Sequence, residues 1–476
     1  MGGGTSRLLT VLAPLVPARA ASLPDLCDTF RPMRLTILGG GGFRVPLVYR
    51  ALLDDPAHSV SEVTLYDTDP LRLKVITDVL ARLAQDHPAP VAVRLADDLD
   101  TALTGADFVF SAIRVGGTAG RVRDERIPLS EGVLGQETVG AGGVLYGLRT
   151  IPVARHLAER VAARAPGAWV INFTNPAGMV TEAMSQVLGE RVIGICDSPV
   201  GLVRRAARAA GADPAAFADP RRLRYDYVGL NHLGWLRSLT VDGTELLPGL
   251  LADDAALASF EEGRLFGGEW LRTLGALPNE YLHYYYFRRE TLDALRDTAR
   301  TRGEFLDRQQ GGFFERAAAG DPDAAHALWE RIRLEREETY LAHSREASGR
   351  WQRDSEDLEG GGYDRVALAL MRALTDGRGT RLILNVRNGT TVPQLAPDAI
   401  VETVCEVTAE GARPLPCAPL REDQLGLMLQ IKAVERATVA AATGQDHTAA
   451  LRALALHPLV DSPAVAARIL ARAAAA

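Results

Sequence analysis

Cysteine and lysine are scarce in this chain of 476 residues, and long hydrophobic runs are absent. The four cysteines, Cys27, Cys196, Cys405 and Cys417, form no CxxC pair. That speaks against a disulfide-stapled fold, a structural zinc knot and a thioredoxin-like centre. Any thiol chemistry therefore rests on one cysteine. No apolar run reaches the roughly 18 residues that a membrane span needs. Excess positive charge is missing too: the formal net charge is −7, so no basic face is advertised to nucleic acid or acidic lipid. Lysine is confined to Lys74 and Lys432, and arginine carries nearly all the positive charge. Its planar fork suits phosphate and carboxylate, although GC-rich coding also enriches Ala and Arg.

What is present is an ordinary globular composition, 47% hydrophobic and 24% charged, enough for two lobes around sizeable cores. Residues 1–32 combine Arg7, the apolar stretch LLTVLAPLV and an Ala-Arg-Ala, loosely imitating a signal peptide. Met33 then stands directly before the first strong strand. Residues 1–32 are expected to be an extension or a mis-assigned start with little fold content.

From there strands and helices alternate. RLTIL (34–38) is a buried strand, a glycine turn and the helical PLVYRALL follow, and a second strand, EVTLYD, ends on Asp67. The helix LRLKVITDVLARLA, strand VAVRLA, helix DLDTALTG and strand DFVFSAI continue the rhythm. The helix IPVARHLAERVAARA, strand AWVINF, helix MVTEAMSQVL and strand RVIGI extend it to about residue 200. This βαβ alternation predicts an α/β fold with a Rossmann-like, doubly wound parallel sheet over residues 33–200. Residues 201–470 change pattern and predict a C-terminal α+β domain: a hairpin turning at Asp242-Gly243, charged helices over 250–350, two further strands and a terminal helix pair. The Ala-rich tail is expected to fray.

Five stretches carry chemistry. Gly39, Gly40, Gly41 and Gly42 lie between a strand and a helix, where glycine permits a tight turn and close approach to a pyrophosphate. Asp67 ends the second strand where a carboxylate would grip ribose hydroxyls. The motif departs from GxGxxG, because Arg44 follows instead of a third glycine; a merely tight turn is the alternative. The segment IRVGGTAGRVRDERIPLSEGVLGQETVGAGG (113–143) interleaves glycines with Arg114, Arg121, Asp124, Glu125, Gln136 and Glu137. It is expected to form a long functional loop at the carboxyl edge of the sheet. In INFTNPAGMV, Asn172 and Asn175 flank a strand-to-helix turn, where an asparagine can also simply cap the helix. Cys196-Asp197-Ser198-Pro199 and Asn231-His232 each close a strand. A strand-end cysteine is ordinarily an inert hydrophobe and a lone histidine a hydrogen-bonded core residue, but a thiol and an imidazole at one sheet edge can share a divalent ion. The run Tyr281, Tyr284, Tyr285 and Tyr286 is either plain core or the source of a base, because a tyrosine beside a metal and arginine can have a depressed pKa.

In this order, IRVGG…IPL..G..GQET.G.GG, NFTNP, CDSP, GLNH and PNEYLHYYY resemble glycoside hydrolase family 4, most closely its 6-phospho-β-glucosidase branch. The resemblance covers nearly the whole chain after residue 33. It implies a lactate/malate dehydrogenase-like fold, NAD as cofactor, and Mn²⁺ or a similar divalent ion held by Cys196 and His232. Arg114, Asn175 and Arg302 would contact substrate, with Arg300 an alternative to Arg302. Asp197 would protonate the leaving group and Tyr281 would serve as base. The implied chemistry departs from the two-carboxylate glycosidases: NAD⁺ takes hydride from C3, the ketone acidifies C2–H, Tyr281 removes that proton, and the C1 group leaves. Water then adds and hydride returns, without net oxidation. The implied substrate is a phosphorylated disaccharide or aryl glucoside, and the implied setting is a cytoplasmic homodimer or homotetramer. An α-linked, unphosphorylated or uronate substrate is the alternative within the family. Outside it stand a lactate/malate-type dehydrogenase and an NAD-binding scaffold without catalysis.

Overall fold

In the computed structural model, which describes residues 33–476 except 86, 220, 350, 354–361 and 378, the first six strands are β1 (Met33–Leu38), β2 (Val60–Tyr66), β3 (Ala92–Leu95), β4 (Phe108–Ser111), β5 (Trp169–Asn172) and β6 (Val192–Gly194). They pair in parallel in the order β3-β2-β1-β4-β5-β6. This is the Rossmann order, with its reversal between β1 and β4. The central strands are nearly continuous apolar runs because helices cover both faces. One face buries Leu35, Ile37, Phe108 and Phe110 against the helices Val45–Leu53 and Pro70–Gln85. The other buries Leu38, Val109 and Val170 against Gly140–Arg164 and Ala177–Leu188.

The sheet does not stop at residue 200. β11 (Thr380–Arg387) pairs antiparallel with β6, and β12 (Ile400–Thr408), β7 (Leu223–Leu230), β8 (Leu233–Val241) and β10 (Leu277–Pro278) follow. The short β9 (Thr244–Glu245) and β13 (Gly411–Pro414) pair with β8 and β12. The parallel half thus continues into an antiparallel half within one compact unit. Asp242 and Gly243 turn the β8–β9 hairpin with φ of 49° and 83°, the positive pair that a two-residue hairpin requires.

Two expectations fail. Residues 113–143 are not one long loop: Gly117–Ser130 is a helix and another begins at Gly140. Their glycines serve packing, since a Cβ on Gly135 would strike the Glu125 carbonyl and one on Gly142 the Gln136 carbonyl. The C-terminal region holds three helices, Glu422–Gly444, His447–Leu456 and Pro463–Ala475, rather than a pair with a frayed tail. The last is capped by Ser462 and buries Ile469. Its Arg468 and Arg472 each reach Glu131 at 2.6 Å. Residues 1–32 lie outside the described residues.

Candidate active site

The carboxyl ends of β1 and β4 meet where the strand order reverses, the crevice that α/β sheets offer to ligands. Gly39 and Gly40 donate their N–H groups to the Tyr66 carbonyl at 3.0 and 2.9 Å, and Gly41 N–H donates to Asp67 Oδ2 at 2.9 Å. A Cβ on Gly39, whose φ is +86°, would stand 2.6 Å from the Ala112 carbonyl oxygen; on Gly40 it would stand 2.8 Å from Leu65 Cβ. Glycine is therefore needed to let the turn press against the ends of β2 and β4. One Asp67 oxygen clamps the turn and the other accepts from Asp69 N–H at 3.0 Å.

Below the turn opens a cavity of about 420 Å³ whose lining begins at Gly42 and includes Arg114, Asn175, Cys196, Asp197, His232, Tyr281 and Arg302. Every residue that the sequence assigns to metal, catalysis or substrate thus faces one space. Asn172 and Asn175 divide their roles. Buried Asn172 donates to Thr174 O and Thr181 Oγ1 and so braces the turn, whereas the buried Oδ1 of Asn175 has no partner among the described residues.

Cys196 follows β6 and His232 follows β7, both buried. His232 has a φ of +63°; its Nδ1 is bonded to Thr138 Oγ1 at 3.0 Å, which leaves Nε2 for a ligand. Burial depresses its pKa to about 3, so the imidazole is neutral at physiological pH. Burial and the Glu402 carboxylate push the Cys196 thiol up. Among the described residues no group of three or more His, Cys, Asp or Glu is assembled for a metal. A thiol–imidazole pair suits a borderline divalent ion, which would also be the agent that deprotonates the thiol.

Tyr281 rides on the turn Glu280–Leu282, which Asn279 caps by accepting from Tyr281 N–H at 3.0 Å. Tyr340 donates to the Tyr281 hydroxyl at 3.0 Å. Burial and Glu280 push the Tyr281 phenol well up. The depressed value expected of a base beside a cation is therefore not produced by the protein groups alone. Glu280 is itself pushed up to about 8 by burial and Glu262, and it accepts from Ser198 at 2.6 Å.

Around this centre lies a buried layer of charge. Glu137 joins Arg114 to Arg121, the latter at 2.6 Å, and Arg121 also binds Glu125 at 2.7 Å. Burial would raise the Glu137 pKa, but the two guanidiniums hold it at about 2. Arg44, where the glycine motif departs from its pattern, reaches between Asp197 and Glu337 at 3.8 Å from each. Its positive charge, like that of Arg353, reaches Glu337 on a helix, Pro322–Glu338, that carries nothing distinctive in sequence.

Residues 34–212 match the model of the family 4 glycosyl hydrolases, and residues 227–460 that of the family's C-terminal domain. The chain belongs to family 4 of the glycosyl hydrolases. This family 4 hydrolase is 32% identical over 441 residues to the 6-phospho-beta-glucosidase of Escherichia coli, covering 90% of this chain and 92% of that one. It is 29% identical over 458 residues to 6-phospho-alpha-glucosidase 1 of Lacticaseibacillus paracasei, covering 92% and 96%. Among solved structures it resembles the 6-phospho-beta glucosidase of Thermotoga maritima with manganese, NAD⁺ and glucose-6-phosphate. The TM-score is 0.77 at 26% identity, covering 93% of this chain and 97% of that one.

The sequence did not point to several residues that line the candidate site of this family 4 hydrolase. Arg336, Glu337, Thr339 and Tyr340 all line the cavity, yet they sit in a stretch read only as helical and charged. Arg302 is the first residue of its helix and is half-buried, whereas Arg300, which also lines the cavity, is exposed.

Proposed function

We propose that this family 4 hydrolase cleaves 6-phospho-β-glucosides, using NAD⁺ and Mn²⁺ or a similar divalent ion. The observation that carries the reading is that Cys196, Asp197, His232 and Tyr281 line one cavity beneath a Rossmann glycine turn. Gly39 to Gly42 and Asp67 would hold the dinucleotide, and Cys196 Sγ with His232 Nε2 would hold the ion. When bound, the pair would supply a reversible hydride acceptor for the sugar's C3 and a Lewis acid for the ketone so formed.

The chain's own groups do the rest. Tyr281, as the phenolate, takes the C2 proton and becomes the phenol, and Tyr340 steadies the phenolate beforehand by donating to it. A nearby cation is what would bring the Tyr281 phenol down from its raised value. Asp197, next to Cys196 in the chain, gives its proton to the departing C1 oxygen. Asn175 Oδ1 and Arg114 orient sugar hydroxyls. The β-linkage and the 6-phosphate rest on the likeness of the sequence to phospho-β-glucosidases; relatives named for α-linked substrates are of similar identity. A homo-oligomer drawing on the cytoplasmic NAD pool is the accompanying reading.

The test is release of p-nitrophenol from its 6-phospho-β-glucoside, with and without NAD⁺ and Mn²⁺, beside the α-linked and unphosphorylated analogues. Release that needs both additions and the phosphate is expected. Faster release from an analogue would move the substrate, and NADH accumulating on a hydroxy acid without release would give the chain to the dehydrogenases.

A further inference from the structure

Most arginines that line the cavity are spent on carboxylates. Arg114 and Arg121 share Glu137, Arg44 lies between Asp197 and Glu337, and Arg353 pairs with Glu261 and Glu337. Two are not. Arg302 gives its guanidinium hydrogens to Thr339 Oγ1 at 2.6 Å and to the Arg336 carbonyl at 2.8 Å, both uncharged. Among the described residues, no carboxylate lies within ion-pair distance of the Arg302 or Arg336 guanidinium, and the latter makes no side-chain hydrogen bond. The two stand together on the wall formed by the start of one helix, Arg302–Ala319, and the end of another, Pro322–Glu338.

This arrangement is costly for the protein by itself. A guanidinium half withdrawn from water, as both of these are, favours a counter-charge, and Arg302 also sits at the positive end of its helix dipole. Burial, with Arg121 close by, lowers Arg302 to about 10, and burial, with Arg44 close by, lowers Arg336 as well. The missing component is an anion, and two guanidinium forks match the oxygens of a doubly charged phosphate better than a single carboxylate.

We propose that Arg336, together with Arg302, is the subsite that holds the substrate's phosphate and makes this enzyme select a phosphorylated sugar. The inference rests on the phospho-glucoside reading above and adds Arg336 to Arg302, an expected substrate contact, while Arg114 and Arg121 serve the carboxylate layer.

The experiment is calorimetric binding of glucose 6-phosphate, glucose, glucuronate and NAD⁺ to the wild type and to Arg336→Met. The wild type is expected to prefer glucose 6-phosphate. In Arg336→Met that affinity should fall roughly tenfold or more, with glucose and NAD⁺ affinities unchanged. The ligand-free variant should melt no lower than wild type, because a half-buried charge without a carboxylate partner among the described residues has been removed. Retained preference for glucose 6-phosphate would overturn the assignment alone. Loss of NAD⁺ affinity would give Arg336 to the cofactor, and a much lower melting temperature would make it a packing residue; either overturns the proposal. A wild type indifferent to the phosphate, or preferring glucuronate, would overturn the phospho-glucoside reading itself. If Arg336→Met does not fold, Arg336→Lys decides, since it keeps the charge and loses the fork: weaker glucose 6-phosphate binding supports the subsite and unchanged binding sinks it.

Discussion

The imidazole of His232 lies flat against the phenol ring of Tyr281, with ring centroids 3.7 Å apart and planes 10° from parallel. A candidate metal ligand and a candidate base are thus held by one contact, although they are 49 positions apart in the chain. The stack fixes the imidazole plane, and Thr138 Oγ1 engages its Nδ1.

Tyr281→Phe keeps that ring and removes only the hydroxyl. Turnover is expected to fall roughly 10²- to 10⁴-fold, with Mn²⁺ affinity and melting temperature close to wild type. Tyr281→Ala should lose both turnover and Mn²⁺ affinity. Steady-state kinetics and a metal titration on the two variants separate the roles; equal Mn²⁺ loss in both would mean that the hydroxyl, not the ring, supports the ion.

Cys196→Ser replaces a soft ligand by a hard one of the same shape. Mn²⁺-dependent turnover should all but vanish while the protein still folds, and Thr138→Val should weaken Mn²⁺ binding by about 10- to 100-fold through His232. A fully active Cys196→Ser enzyme would remove the thiol from the metal site.

Glu137 neutralises two guanidiniums at once, that of buried Arg121 and that of half-buried Arg114. Glu137→Gln leaves Arg114 and Arg121 with too little negative charge around them, and a loss of about 3–5 kcal/mol in stability is expected. Urea unfolding measures it, and a change under about 1 kcal/mol would show that the layer is not electrostatically coupled.

Acid should unfold the protein partly through His457. Both its ring nitrogens face backbone N–H donors, Gly140 and Leu459, at 3.1 Å, so a second ring proton finds no acceptor. Burial depresses it to about 3, against an unfolded value near 6.5. Between those values only the unfolded chain takes up the proton. Its contribution is therefore complete above about pH 6.5 and shrinks by about 1.4 kcal/mol per pH unit as pH falls toward 3. In His457→Gln the slope of unfolding free energy against pH should be smaller by that amount; an unchanged slope would refute it.

The sequence by itself determined the α/β frame, because strands buried on both faces must be apolar throughout and the turn after β1 admits only glycine at its closest approaches. It also determined the candidate centre, since Cys196, His232 and Tyr281 stand in short motifs whose spacing survives in one dimension. It misjudged residues 113–143, where glycine density suggested a loop but the glycines allow helices to pack. Only the tertiary structure decided which arginines are free for a substrate. Arg114, Arg121, Arg302 and Arg336 are alike as letters, and what separates them is whether a carboxylate from a distant element stands within reach. Pairing of buried charge depends on distances across the fold, and no local pattern encodes those.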